Sequence, residues 1–456
     1  MMRTLAHFAA ACGGRLHGAD RAYTGVSTDT RTLSPGDLFV ALRGPRFNGN
    51  EFLSAAQAAG AAGAVVDAPQ STPLSQVIVA ESLAALARAA QSWRGLFQIP
   101  VIAVAGSNGK TSTKEMTAAI LAQAGACLAT RGNLNNHIGV PLTLLRLAPE
   151  HRFAVIEMGA NHAGDVAALV ELAAPAIGLI TNAGAEHLEG FGSLEAVARA
   201  EGEVIEALPA EGTAVINADD PYAPLWRGMT RAKVVAFGMG EGALWRATQL
   251  RCDVDAEGFK TRFTLECPAG RAQVELALAG RHNVMNALAA AAAAAAAGAT
   301  LPHIVAGLAA VRAVPGRLQF KRAQSGAWLI DDSYNANPSS VRAGIEVLEQ
   351  LDGHKWLVLG DMAELGDFAA ASHAEIGAFA RAHGVERLFA TGALTVGTVE
   401  SFGAGGQWFA DAGTLSDALV ASADASVRLL VKGSRMNRLE RVVEALTAAP
   451  ARAQAE

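Results

Sequence analysis

Val101-Ile-Ala-Val-Ala-Gly-Ser-Asn-Gly-Lys-Thr-Ser-Thr-Lys114 runs from an apolar stretch into a glycine-bracketed turn and on into a segment rich in helix formers. This order predicts strand, phosphate loop and helix. In such a turn the backbone N–H groups of Gly106, Ser107, Asn108 and Gly109, with the positive end of the helix opened by Lys110, Thr111 and Ser112, cradle phosphate oxygens. Lys110 then reaches the terminal phosphates and the Thr111 hydroxyl serves Mg2+. A strict Walker pattern wants glycine where Val104 stands. The remaining Gly-x-x-Gly-Lys-Thr core is short, and a tight turn carrying a solvated lysine is its bland alternative, so the rest of the chain has to decide.

The length of 456 residues suggests about three domains. Half of the residues are hydrophobic and the net charge is -6, with no long basic run. That balance leaves no electrostatic footprint for nucleic acid or an anionic membrane. Cys12, Cys127, Cys252 and Cys267 show no Cys-x-x-Cys spacing, which speaks against a metal cluster or a disulfide framework. Met1-Met-Arg-Thr-Leu5 lacks a signal-peptide core, and the longest apolar run, 287–297, is alanine-dominated and too short to span a bilayer. The expectation is a soluble cytoplasmic protein; composition does not speak to oligomeric state, for which a monomer is the default expectation.

Residues 1–98 read as a small mixed α/β domain. Ser34-Pro-Gly-Asp37 is a turn and 38–41 a buried strand, while 55–64 and 82–93 have helical spacing. Asp29 and Arg31 are either a ligand contact or a turn-stabilising pair. Residues 99–313 repeat an apolar strand followed by a polar turn: Phe153-Ala-Val-Ile-Glu157, Ile177-Gly-Leu-Ile180 and Ala214-Val-Ile-Asn217. Strands alternating with helices imply a parallel sheet whose carboxyl ends share one edge, where ligands bind. The loop, Glu157 and His187 should therefore converge, with the carboxylate suited to a hard cation such as Mg2+. His187 is either a metal ligand or a hydrogen-bonded structural residue. Asn133, Asn135 and Asn136 either hold a polar substrate or satisfy turn backbone. Asn283 and Asn286, three apart, share a face near the start of an alanine-rich helix stopped by Gly298. Val314-Pro-Gly-Arg317 reads as a hinge or a linker. Residues 314–456 form a second open α/β unit with strands at 328–332, 355–361, 387–390 and 428–432. Asp332, Asp361 and Lys432 stand at strand ends, as cleft residues or as helix caps.

Taken together these motifs resemble the Mur ligase family, ATP-dependent amide-bond formers. The resemblance runs from Ser27 to Leu439: Gly106 to Thr113, Glu157 in Glu-Met-Gly-Ala-Asn-His, His187 in Glu-His-Leu-Glu-Gly-Phe-Gly, Asn283 and Asn286, Arg317, Asp332, and Lys432-Gly-Ser-Arg435. Tyr334-Asn-Ala-Asn-Pro338, Leu359-Gly-Asp-Met-Ala-Glu-Leu-Gly366 and Asn133-Leu-Asn-Asn-His-Ile-Gly-Val-Pro141 are the most specific marks. The resemblance implies three domains: a UDP-substrate domain, a central ATPase and a Rossmann-like domain that closes over the cleft. It implies ATP and Mg2+ as cofactors, and UDP-N-acetylmuramoyl-tripeptide and D-alanyl-D-alanine as substrates joined through an acyl phosphate. Carried over position by position, Lys110 and Arg317 stabilise the transferring phosphoryl group, and Thr111, Glu157 and His187 serve the metal. Asn283 and Asn286 contact the adenine end, Asp332 helps hold ATP, and Asn335 and Lys432 lie toward the reacting groups. Thr28, Asp29, Arg31, Asn48, Asn133, Asn135, Asn136, Asp361 and Arg435 are expected on the substrate side.

Two departures stand out. Arg199-Ala-Glu-Gly-Glu203 puts Glu201 where the family usually carries a carbamoylated lysine, so Glu201 is expected to offer similar oxygens to a second Mg2+, the alternative being a solvated helix residue. Asn48-Gly-Asn50 stands where the family often has Asp-Gly-His. Competing readings are a sister ligase adding the third amino acid and a P-loop ATPase that drives motion. The first would carry an Asp-Asn-Pro-Arg motif, and a switch GTPase would carry Asn-Lys-x-Asp; neither is present.

Overall fold

Alternation places the phosphate-loop strand between two cores. Val101, Ala103 and Ala105 point into one hydrophobic cluster, Ile102 and Val104 into the other, and all five are fully buried. A strand covered on both faces belongs in the middle of a parallel sheet. The computed structural model, which describes residues 3–448 apart from 46, 186, 187 and 256, has it there. Phe153–Glu157 pairs with it on one side and Ile177–Ile180 on the other, both parallel. Beyond them lie Cys127–Ala129 on one flank, and Thr213–Asn217 and Lys233–Gly238 on the other. The chain leaves Val101–Ala105 toward one edge and later returns on its opposite side. The carboxyl end of this strand is thus a topological switch point, where side chains diverge and open a crevice.

The sheet continues through Trp245–Asp255 into an antiparallel ribbon, Gly258–Cys267 and Gly270–Leu276, giving nine strands. The ribbon adds to the strands expected from the sequence. The helix Lys110–Ala122 is covered by Arg281–Ala296, whose residues from Ala287 to Ala294 are completely buried. Small side chains let the two helices approach closely. The helix Leu301–Ala310 packs on the same helix, and a Cβ at Gly307 would lie 2.4 Å from the Cα of Ile120.

A five-stranded sheet precedes this unit. Gln76–Ile78, Gly63–Val66, Leu38–Val40 and Val26–Ser27 run parallel, with Arg15–His17 antiparallel at one edge. Helix Ser82–Arg94 forms as expected, but the helix expected over 55–64 is Leu53–Ala58. Gly60 at φ +86 ends the turn, and the apolar residues after it enter the strand Gly63–Val66. A six-stranded sheet follows the central one. Trp328–Asp332, Val427–Lys432, His354–Gly360, Arg387–Thr391 and Gly406–Phe409 are parallel, with Gln319–Arg322 antiparallel at the edge. The fold is α/β throughout: among the described residues three large sheets follow one another in chain order, and a two-stranded ribbon, Arg43–Gly44 with Phe47–Asn48, accompanies the first. Among the described residues no helix is long and apolar enough to cross a membrane.

Candidate active site

Two glycines let the phosphate loop take its path. Gly106 has φ +121 and Gly109 φ +82; a Cβ would lie 2.1 Å from Thr181 Oγ1 at the first and 2.3 Å from Asn286 Oδ1 at the second. Either substitution meets both backbone strain and a clash. Behind the loop, Glu201 on the helix Leu194–Glu206 is only 4 % exposed, and its Oε2 accepts the Gly106 N–H at 2.6 Å. Lys110 Nζ donates to the carbonyls of Gly106 and, at 3.1 Å, Ser107. The loop is also held from the neighbouring strand end, where Thr181 Oγ1 and Asn182 Nδ2 donate to the Asn108 carbonyl at 2.7 and 2.9 Å.

The loop forms one wall of a cavity of about 610 Å3 whose other wall comes from the third sheet. Ser107 to Ser112, Asn133, Asn135, Asn136, Glu157, Asn283 and Asn286 line it from the central unit; Arg317, Asp332, Asn335 and Lys432 line it from the last. The convergence expected of the loop and Glu157 is therefore present. His187 lies outside the described residues.

Glu157, at the carboxyl end of its strand, is 2 % exposed. Asn135 Nδ2 donates to its Oε1 at 2.9 Å, while Oε2 is buried with no hydrogen-bond partner. An orphaned carboxylate oxygen is costly unless a cation completes it. With the Thr111 hydroxyl in the same cavity, the oxygen donor set fits a hard divalent ion such as Mg2+. No cluster of three or more His, Cys, Asp or Glu side chains with metal-ligand geometry occurs among the described residues.

Across the cavity, Arg317 Nη2 lies 3.4 Å from Thr111 Oγ1, and its guanidinium stacks over the Tyr334 ring at 4.5 Å. Asp332 Oδ2 accepts from Lys432 Nζ at 2.5 Å and Oδ1 accepts the Leu318 N–H at 3.2 Å; Lys432 also donates to the Asn335 carbonyl at 2.9 Å. Burial pushes the Asp332 carboxyl up, and the Lys432 ammonium and the Arg317 charge oppose that rise. Burial, with Lys432 nearby, lowers His282 to about 4, so its imidazole is neutral at physiological pH.

The other expected residues fall partly inside and partly outside this lining. Asn286 Nδ2 donates to Asn283 Oδ1 at 3.2 Å, and Asn283 Nδ2 to the Ala279 carbonyl at 2.8 Å, so the pair is tied to the helix start with Asn286 against Gly109 of the loop. Asn136 Oδ1 accepts the N–H groups of Ile138 and Gly139, which is turn chemistry. Asp361 does not line the cavity: its Oδ1 accepts the N–H groups of Leu394 and Thr395 at 3.0 and 3.1 Å, capping the helix Thr395–Phe402. Arg435, paired with Glu440, is exposed and also lies outside the lining. Glu201 is neither solvated nor part of the lining. Thr28, Asp29, Arg31 and Asn48 lie in the first unit, away from this cavity. Arg31 holds the Asp29 carboxyl down at about 2 through side-chain and backbone hydrogen bonds, a local turn pair, and Asn48 Oδ1 accepts from Asn50. Tyr334, His282, Asn337 and Ser339 line the cavity in addition to the residues expected there. Asn337 was readable as a helix cap, since Asn-Pro-Ser-Ser puts a capping side chain before a first-turn proline.

The chain is similar to known proteins along nearly its whole length. The chain matches the Mur ligase family catalytic domain over 22–123, the Mur ligase middle domain over 104–294 and the Mur ligase glutamate ligase domain over 316–435. It is 44 % identical over 445 residues to the UDP-N-acetylmuramoyl-tripeptide–D-alanyl-D-alanine ligase of Escherichia coli K12, covering 97 % of this chain and 98 % of that one. With the enzyme of the same name from Haemophilus influenzae it shares 37 % over 432 residues, covering 92 % and 93 %. Crystal structure I of MurF from Acinetobacter baumannii superposes with a TM-score of 0.90 at 33 % identity, covering 98 % of this chain and 99 % of that one. The MurF ligase from Thermotoga maritima in complex with ADP gives 0.80 at 27 %, covering 92 % and 96 %. A phosphate loop facing a second α/β unit across one cleft, carried on a chain this similar from end to end, means that the protein belongs to the Mur ligase family, in its MurF branch.

Proposed function

We propose that the protein is an ATP-dependent ligase that joins D-alanyl-D-alanine to UDP-N-acetylmuramoyl-tripeptide for peptidoglycan synthesis, releasing ADP and phosphate. The observation that carries this reading is the union, in one cavity, of the phosphate loop, the half-unpaired Glu157 carboxylate and the cations Arg317 and Lys432 of the last unit. That is the equipment for moving a phosphoryl group onto a carboxylate.

The terminal carboxylate oxygen of the tripeptide attacks the γ-phosphorus, the bond to the ADP oxygen breaks, and an acyl phosphate forms. The D-alanyl-D-alanine amine then attacks the acyl carbon, loses a proton and expels inorganic phosphate. Two anions must be brought together in the first step, so positioning and charge neutralisation dominate. Lys110 leaves the loop carbonyls for the β- and γ-phosphates. Arg317, braced on Tyr334 beside Thr111, meets the transferring group from the opposite wall. Asp332 holds Lys432 toward the reacting carboxyl, and Asn335 lies at the same edge. Glu157 and Thr111 would hold Mg2+, which when bound neutralises phosphate charge, with His187 as a further ligand; Glu201 braces Gly106 from behind the loop. Asn133 lines the substrate side of the cavity, with Asn135 holding Glu157 and Asn136 the turn beside it.

The reading divides the chain into 1–98, 99–313 and 314–456, supported by one large sheet in each. One chain supplies both walls of the cleft, which suits a monomer, and ATP use suits the cytoplasm. Phosphate release should require UDP-N-acetylmuramoyl-tripeptide and D-alanyl-D-alanine together. Release with ATP alone, or with a free amino acid in place of the dipeptide, would defeat the reading.

A further inference from the structure

Asn108 sits in the turn of the phosphate loop, yet its side chain bonds to the start of the helix Pro338–Glu349 in the last unit. Its Nδ2 donates to Ser339 Oγ at 3.0 Å, Ser339 Oγ donates to Asn337 Oδ1 at 2.9 Å, and Asn337 Nδ2 donates to Asn108 Oδ1 at 2.8 Å. The three bonds close a ring in which each side chain donates once and accepts once. An unambiguous donor fixes its direction: Asn337 Oδ1 also accepts the Ser340 backbone N–H at 2.9 Å, as the cap of that helix. With the Asn337 oxygen turned to the helix, its amide nitrogen faces Asn108, which must present its own oxygen there and its nitrogen to Ser339.

The backbone of Asn108 is pinned independently. Its N–H donates to Asn182 Oδ1 at 3.1 Å and its carbonyl accepts from Thr181 and Asn182. The residue immediately before Gly109 and Lys110 is thus fixed by the central sheet through its backbone and by the last unit through its side chain. The ring exists only while the two units are docked. Ser339 is exposed, so water can take its place when they part.

We propose that Asn108 is a positioning residue that couples the phosphate loop to docking of the C-terminal unit, acting through the ring with Asn337 and Ser339 and not as a side-chain ligand of the nucleotide. This rests on the reading of the loop as the ATP site. In consequence the loop reaches its geometry for transfer only when the cleft is closed, which ties phosphoryl transfer to exclusion of water.

The test uses the full-length protein with Asn108→Ala, Ser339→Ala and the double variant, leaving the cap Asn337 intact. Each single variant should lower kcat about tenfold, with the double falling no further than the worse single, because residues of one network are not additive. ADP affinity by calorimetry should stay within about threefold for both, as for side chains that do not touch phosphate. Small-angle scattering with saturating ADP should show the variants less compact than wild type. Losses that multiply in the double variant, ADP affinity that falls in step with kcat in Asn108→Ala, or unchanged scattering would each overturn the proposal. If wild type formed no amide product the ligase reading would fail, while the scattering arm with ADP would still report on the ring.

Discussion

The guanidinium of Arg317 lies 4.5 Å above the ring of Tyr334, and this stack aims it across the cleft at Thr111. The two residues are held in register by the Tyr334 N–H donating to the Gly316 carbonyl at 3.1 Å. Gly316, at φ +72 in the linker, makes that close approach possible.

Tyr334→Leu should therefore lower kcat with little change in the KM for ATP, by roughly two- to thirtyfold on the usual strength of a cation–π contact. Tyr334→Phe keeps the ring face and should retain most of the activity. Steady-state kinetics of both variants decide; an equal loss in Phe and Leu would mean that the phenol oxygen matters and the stack does not.

Lys432 and Asp332 are a buried pair. Lys432→Met removes the ion-pair partner of a desolvated carboxylate, which costs up to about 3–5 kcal/mol, less what the Leu318 N–H and the Arg317 charge retain, whereas Asp332→Asn with Lys432→Met should recover much of that loss. The sign of the pH dependence follows from burial. An Asp332 raised in the folded state binds its proton more tightly than in the unfolded chain, so the stability it contributes is fully present below the unfolded pKa near 3.8 and is lost as pH rises through the folded value. Urea unfolding of Lys432→Met should show the variant gaining on wild type as pH falls from neutral toward 4.

His282 works in the opposite sense. Its folded pKa of about 4 lies below the ordinary 6.5, so its contribution is complete above 6.5 and is lost as pH falls to 4. The shift corresponds to at most about 3 kcal/mol, reduced by the ring's partial contact with the cavity. His282→Gln should flatten the fall in stability between pH 7 and 4, measured by denaturant titration at each pH.

Glu201 accepts the Gly106 N–H from behind the loop. As a brace it needs an oxygen and no charge, so Glu201→Gln should keep activity within about threefold while Glu201→Ala loses tenfold or more, on the scale of a buried hydrogen bond to a charged group. If Gln and Ala are equally impaired and the apparent Mg2+ requirement rises in both, the carboxylate serves the metal instead.

Gly109→Ala puts a methyl 2.3 Å from Asn286 Oδ1 at a φ of +82. Calorimetry should find ADP binding reduced by at least about a hundredfold, combining strain and clash. Circular dichroism should stay unchanged, because the loop lies at the surface of the cleft.

The amino-acid order determined the local pieces: where strands such as Val101–Ala105 and Phe153–Glu157 run, that Gly106 and Gly109 bracket a tight turn, and that Asp332 and Lys432 stand at strand ends. These features are encoded within a few residues by side-chain alternation and by positions that need positive φ. Sequence alone could not tell the cleft carboxylate Asp332 from the helix cap Asp361, since both are acids at the end of an apolar strand. Nor could it pair Gly106 with Glu201, Thr111 with Arg317, or Asn108 with Asn337 and Ser339, partners 95 to 231 residues apart. Those choices depend on strand order in the sheets and on how one α/β unit docks against another. A hydrogen bond forms only where both backbones bring its two ends within about 3 Å, and that condition is set by tertiary packing.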